Sequence, residues 1–273
     1  MATIHFYKMH GAGNDFVLVD GRSQRLPKDL TSFIRKICKR HTGVGADGLM
    51  IIAHHPHLGF QLSYYNADGS EGEMCGNGAR CAVALAYRLG IVGKEATFEI
   101  QGVSYQASVE GAEQIRIFMH QAKLLKPAEK LTHLLTSEYR SMLLLEVGVP
   151  HLIAEVVGDL SRVNVEIEGR RLREHPDFLP RGCNVNFVSR TSGERIKIRT
   201  YERGVEAETL ACGTGAVAAA AFFKMQYGLE WPLLVQPPGG LLSIDHSEGG
   251  CSLSGPAILV FEGHVETLED KQL

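Results

Sequence analysis

The chain has 273 residues, with 28 Lys+Arg against 31 Asp+Glu, a net charge of −3, 44% hydrophobic residues and 22% charged residues. This length buries one large core or two modest ones without disulfide or metal staples, and the near-neutral balance excludes both a nucleic-acid-coating surface and an acidic disordered tail. Glycine is over-represented, at 30 residues, or about 11% against a usual ~7%, which signals tight turns and close backbone approaches.

The stretch Met1 to His10 lacks a charged segment followed by an apolar run, so no secretory leader is expected. Ile4–Met9 alternates as a strand, Gly11-Ala-Gly13 turns, and Phe16–Val19 is a second strand. Pro27 is expected to open a short helix through Asp29–Ile34 and Arg35–His41. Leu49–Ala53 and Leu62–Tyr65 read as strands, with His54-His-Pro-His57 between them as an exposed loop rather than a metal cluster. An Ala-rich helix follows Cys75 and stops at Gly90. Strands are then expected at Thr97–Ile100, Ile115–Met119, Leu143–Val147, Leu152–Val157, Phe187–Ser189 and Ile196–Tyr201. A second Ala-rich helix follows Cys212 and stops at Gly228, and Leu233–Gln236 and Ile258–Phe261 complete the strands. The most apolar stretch, Ala216 to Phe223, falls far short of the ~20 residues that cross a bilayer. A cytoplasmic protein with no membrane and no nucleic-acid partner is therefore expected, in which the six Cys are not a disulfide framework.

An internal echo organises the chain. Cys75-Gly76-Asn77-Gly78-Ala79 recurs 137 residues later as Cys212-Gly213-Thr214-Gly215-Ala216. The same offset sets Tyr64 on Tyr201 and Ala82 on Ala219. Both helices are apolar on nearly every face, so each is buried all round, and a curved sheet around a central helix is the economical packing. The expected fold is α/β (α+β), with two pseudo-symmetric domains, each a curved, mostly antiparallel sheet wrapped around a central helix. The first is expected to comprise 1–118 plus 261–273 and to carry Cys75, and the second 119–260 and to carry Cys212.

Each helix start supplies unpaired N–H donors and a partial positive charge, which suit a carboxylate and favour a thiolate at the same end. Glycines there let the backbone close on a bound group. Two such starts suit inversion of a carbon beside a carboxylate: one thiolate removes the proton and the other thiol returns one to the opposite face. Cys38, Cys81, Cys183 and Cys251 read as structural thiols. No Cys/His spacing suits zinc, and Gly11-Ala-Gly-Asn14 is no dinucleotide fingerprint because no helix follows it.

At these residues the chain resembles the diaminopimelate epimerases. The resemblance is carried by Phe6-Tyr-Lys-Met-His-Gly-Ala-Gly-Asn-Asp-Phe16, by Asn66-Ala-Asp-Gly-Ser-Glu-Gly-Glu-Met-Cys-Gly-Asn-Gly-Ala-Arg80 and by Thr200-Tyr-Glu-Arg-Gly-Val-Glu-Ala-Glu-Thr-Leu-Ala-Cys-Gly-Thr-Gly215. It extends to about residue 262. It implies interconversion of LL- and meso-2,6-diaminopimelate, for lysine and peptidoglycan synthesis, by a homodimer that uses neither cofactor nor metal. By the same likeness Cys75 and Cys212 are the acid–base thiols, assisted by His151 and Glu202. Asn14, Asn66, Gly76, Asn77, Asn184, Glu202, Arg203, Gly213 and Thr214 match the substrate-binding positions.

Two departures stand out: Val149 where many members have Asn before the Pro of Gly-x-Pro-His151, and Gly48 where some have Gln. The alternative on this scaffold is a racemase of another amino acid, such as glutamate. A redox protein would show a C-x-x-C pair, which is absent, and a simple binder would not need both cysteines.

Overall fold

The computed structural model describes residues 2–191, 195–247 and 250–267. In chain order the elements are β1 (Ala2–Gly11), β2 (Asn14–Asp20), α1 (Leu30–Cys38), β3 (Gly48–Ala53), β4 (Phe60–Asn66), α2 (Gly76–Arg88), β5 (Glu95–Ile100), β6 (Val103–Val109) and β7 (Gln114–Met119). There follow β8 (Lys123–Lys126), β9 (Tyr139–Val147), β10 (Val149–Val156), α3 (Val165–Arg173), β11 (Asn184–Arg190), β12 (Ile196–Glu202), β13 (Ala207–Thr209), α4 (Gly213–Tyr227), β14 (Leu233–Gln236), β15 (Leu242–Ser247), β16 (Gly250–Pro256) and β17 (Ile258–Thr267). The chain forms two compact units, Met1–Ile117 with Gly255–Leu273, and Phe118–Ser254. Residues 255–260, which the sequence reading assigned to the second half, lie with the first, because β17 pairs with β1 from Ile258 opposite His10 onward.

In the first unit the strands run β17-β1-β2-β3-β4-β5-β6-β7, antiparallel except for the parallel joints β2–β3 and β4–β5. A parallel joint needs a crossover; α1 supplies the first and α2 the second. Strand alternation then buries both faces. Val17, Val19, Leu49 and Ile51 pack under Phe33, Ile34 and Ile37 of α1, while Phe16, Leu18, Met50 and Ile52 are buried on the other side. Helix α2 packs on β1, β2, β3 and β6, strands from both ends of the sheet, so the sheet curls around it.

The second unit repeats this plan. Its order is β8-β9-β10-β11-β12-β14-β15-β16, with β13 added to β12 and parallel joints at β10–β11 and β12–β14. Helix α3 takes the place of α1 and α4 that of α2. Ala216 to Phe223 of α4 are all buried, because strands from β9 to β15 surround it.

Both Ala-rich helices stop where expected, with Gly228 at φ 67° and Gly90 at φ 69°. The expected opening of α1 at Pro27 is not observed. Asp29 is the N-cap, its carboxylate accepting from Ser32 N at 3.0 Å, and the helix ends at Cys38.

Candidate active site

The β1–β2 hairpin positions the first cluster. Gly11 and Asn14 pair across a two-residue turn in which Ala12 and Gly13 both have positive φ, 52° and 83°, the turn whose twist matches paired strands. A Cβ on Gly11 would lie 2.7 Å from the Asn77 carbonyl, so glycine is needed for the hairpin to reach the start of α2. There Cys75 is the N-cap, in extended conformation, with Gly76 and Asn77 opening the helix.

Asp47 determines how Asn14 faces this thiol. A carboxylate only accepts, so Asn14 turns Nδ2 towards Asp47 Oδ2 at 2.6 Å. Its carbonyl Oδ1 is thereby fixed on the other side. It accepts from Cys75 Sγ at 3.6 Å and from Asn77 Nδ2 at 3.3 Å. Asp47 is in turn held by Arg40, which also binds Asp15. Burial would raise the Asp15 carboxyl, but hydrogen bonds from Arg40 and Lys8 overcome this and hold it at about 2. Beneath the helix start, the fully buried Arg80 donates to Asn77 Oδ1 at 2.9 Å and to the Gly76 and Pro256 carbonyls. Burial lowers its guanidinium to about 10. Asn66, the remaining expected site residue of this unit, is tied to Ser70 through Nδ2.

The second unit builds the counterpart. Cys212 is the N-cap of α4, and its sulfur lies 3.5 Å from the Thr214 hydroxyl, with Gly213 between them. A Cβ on Gly215 would lie 2.5 Å from Asn186 Oδ1. Asn186, fully buried on β11, reaches His151 Nδ1 and the Leu152 carbonyl, each at 3.2 Å, and accepts from Thr200 at 3.0 Å. Burial first, and then Arg203, lowers the His151 imidazole to about 3. Asn184 Oδ1 accepts from Arg203 N at 2.8 Å, Arg203 donates to the Arg181 carbonyl, and Glu202 accepts from Thr209.

The four remaining cysteines are buried and pushed up by that burial: Cys38, Cys81 and Cys183 to about 12 and Cys251 to about 11. Thiols so raised are inert as bases near neutrality. His55 turns the His54–His57 loop by accepting from Leu58 N and pairs with Glu99. One group of metal-ligand type is present among the described residues, His133, His175 and Asp177. Its carboxylate already has Lys126 Nζ at 3.9 Å, and His175 Nδ1 caps Asp177 N, which leaves a poor cation site. Gly48, one of the two departures, is explained by packing: a Cβ there would lie 2.6 Å from the Tyr64 ring, so no longer side chain fits.

The family model of diaminopimelate epimerase matches residues 6–125 and 143–260, which include both helix starts. The chain belongs to the diaminopimelate epimerase family. A diaminopimelate epimerase of Aquifex aeolicus is 42% identical over 282 aligned positions, covering 97% of this chain and all of the relative. One from Chlorobaculum tepidum is 39% identical, covering 94% and 99%. Among solved structures, a phenazine biosynthesis protein of the PhzF family from Bacillus anthracis superposes with a TM-score of 0.75 at 16% identity, over 98% of this chain and all of that one. A hydroxyproline epimerase from Agrobacterium vitis gives 0.68 at 12% identity, over 97% and 94%. At such identities these likenesses describe the fold alone.

Asp47, Arg80, Asn186 and Thr200 are among the contributors to these clusters that the sequence reading did not single out. The repeat contained a signal for part of them. The 137-residue offset sets Asn14 on His151, Asp47 on Asn184, Asn66 on Arg203 and Asn77 on Thr214, so each half's site positions index the other's.

Proposed function

We propose that the chain is a diaminopimelate epimerase that inverts one α-carbon of 2,6-diaminopimelate, interconverting the LL and meso forms for lysine and peptidoglycan synthesis. The observation that carries this reading is the near-full-length relationship to proteins of that name in a chain with a Cys-Gly-x-Gly helix start in each unit. Cys75 and Cys212 are the acid–base pair. One sulfur, as thiolate, takes the α-proton; the C–H electron pair passes into the carboxylate as a carbanion-like state develops. The other thiol gives its proton to the opposite face and becomes the thiolate. Helix-start N–H groups at Gly76–Asn77 and Gly213–Thr214 stabilise the charge on the carboxylate. No step calls for a cofactor or a metal.

The deciding experiment is proton NMR of the protein with LL-diaminopimelate in D₂O. The α-proton signal is expected to disappear as the meso form accumulates, because thiols exchange with solvent between turnovers. Failure to exchange, or exchange only with glutamate or proline in a substrate panel, overturns the reading. The reading also implies a cytoplasmic homodimer, which light scattering tests by a mass twice that of one chain.

Arg203 and Asn184 are assigned to the distal amino-acid end of the substrate, with the guanidinium fork suited to a carboxylate. Loss of a charge-assisted contact costs about 1.5–3 kcal/mol, so Arg203→Ala should lower kcat/KM by about one to two decades. Unchanged kcat/KM would remove Arg203 from the site. Asp47→Ala should lower it by roughly tenfold, since a single lost hydrogen bond to a charged group is of that order. The cause is release of Asn14, whose carbonyl then no longer holds its place beside Cys75. Wild-type kinetics in Asp47→Ala would show that Asn14 needs no such support.

A further inference from the structure

The side-chain amide of Asn186 is fixed by its neighbours. The Leu152 carbonyl can only accept, so the amide atom 3.2 Å from it is Nδ2. The other amide atom is then the oxygen, and it accepts from the Thr200 hydroxyl at 3.0 Å. The same Nδ2 lies 3.2 Å from His151 Nδ1. With an N–H directed at it, Nδ1 must accept, and a neutral imidazole whose Nδ1 accepts carries its proton on Nε2. His151 is fully buried, and its Nε2 has no hydrogen-bond partner among the described residues. A buried donor without an acceptor is costly, so an acceptor brought within reach of Nε2 is favoured there. Burial and the nearby Arg203 both disfavour the imidazolium, which leaves the neutral donor as the resting form. Asn186 Oδ1 also meets the first turn of α4, where only glycine at 215 allows the approach. One buried amide thus joins His151 to the turn that carries Cys212.

We propose that Asn186 is a positioning residue that locks His151 as the Nε2–H tautomer, so that His151 gives the bound amino acid's carboxylate a hydrogen bond and neither takes nor returns the α-proton. The carboxylate as occupant rests on the epimerase reading above; the tautomer lock does not. This moves His151 from assisting the thiols to holding the anion on which charge develops.

The test is ¹⁵N NMR of histidine-labelled protein at pH 7 without substrate, with the His151 signals identified by their loss in His151→Gln. The expected result is a protonated Nε2 and an unprotonated Nδ1. In Asn186→Asp the carboxylate can only accept, so Nδ1 should become protonated and kcat/KM should fall at least tenfold. A native protein with its proton on Nδ1, or an Asn186→Asp variant with the native nitrogen signature, overturns the proposal. If that variant fails to fold, the native spectrum decides alone. A protein that exchanges α-protons with the wrong tautomer refutes this inference and leaves the epimerase reading standing. The expected tautomer in a protein that exchanges none supports the lock and overturns the epimerase reading.

Discussion

Cys75→Ala and Cys212→Ala are each expected to abolish epimerisation of diaminopimelate while the protein stays folded. Inversion needs a proton removed on one face and another delivered on the opposite face, and on the two-thiol reading proposed above each variant lacks one of those two groups. A positioned acid or base is worth on the order of 10²–10⁴-fold, and here no second group can substitute, because the other four thiols are buried and raised to about 11–12. The structural cost is small. The losses include the long contact of Cys75 to Asn14 and that of Cys212 to Thr214, and neither sulfur caps its helix by a side-chain hydrogen bond. Circular dichroism should therefore be native in both variants, and exchange of the α-proton from the face still served can persist. Full epimerase activity in either variant would overturn the two-thiol mechanism. Cys183→Ala, by contrast, should keep the wild-type rate.

Gly215→Ala is expected to produce the second-largest loss. The added methyl would sit 2.5 Å from Asn186 Oδ1 and 3.4 Å from Cys212 Sγ. Neither neighbour has room to give. Asn186 is fully buried and held by Leu152, His151 and Thr200, while Cys212 is fixed at the helix start. Overpacking of this kind costs about 1–3 kcal/mol of stability, and displacing the N-cap sulfur should lower kcat/KM by about two decades, since misplacement by roughly 1 Å costs that much. Denaturant unfolding alongside steady-state kinetics separates the two effects. A variant with native kcat/KM would show that the first turn of α4 can shift without moving the thiol.

The parts of this fold that were legible in the sequence share one property, a local signal. The two Ala-rich helices were readable because apolarity on every face and a glycine at the end are properties of the segment itself. The same holds for the hairpin at Gly11–Asn14 and for the strands around Phe16–Val19 and Leu49–Ala53. Helix α3 was not legible. Val165–Arg173 is mostly charged and has Gly169 at its centre, which reads as a breaker. The structure shows why glycine stands there: a Cβ would collide with Tyr201 of β12, so the residue is set by a neighbour far away in sequence. Strands β15 and β16, rich in Ser, Gly and polar residues, likewise become strands through the ladders they complete.

The sequence by itself determined the duplication, the two Cys-Gly-x-Gly helix starts, the family and hence the chemistry to expect, because these reside in motifs and spacings that contact order cannot alter. Only the tertiary structure decided which way the side-chain amides face. Asp47 turns the Asn14 carbonyl towards Cys75, and Leu152 with Thr200 turns the Asn186 amide towards His151. Those orientations follow from hydrogen-bond partners 14 to 61 residues away, and an amide's direction is fixed by which neighbours can donate and which can only accept, something no local pattern of residues encodes.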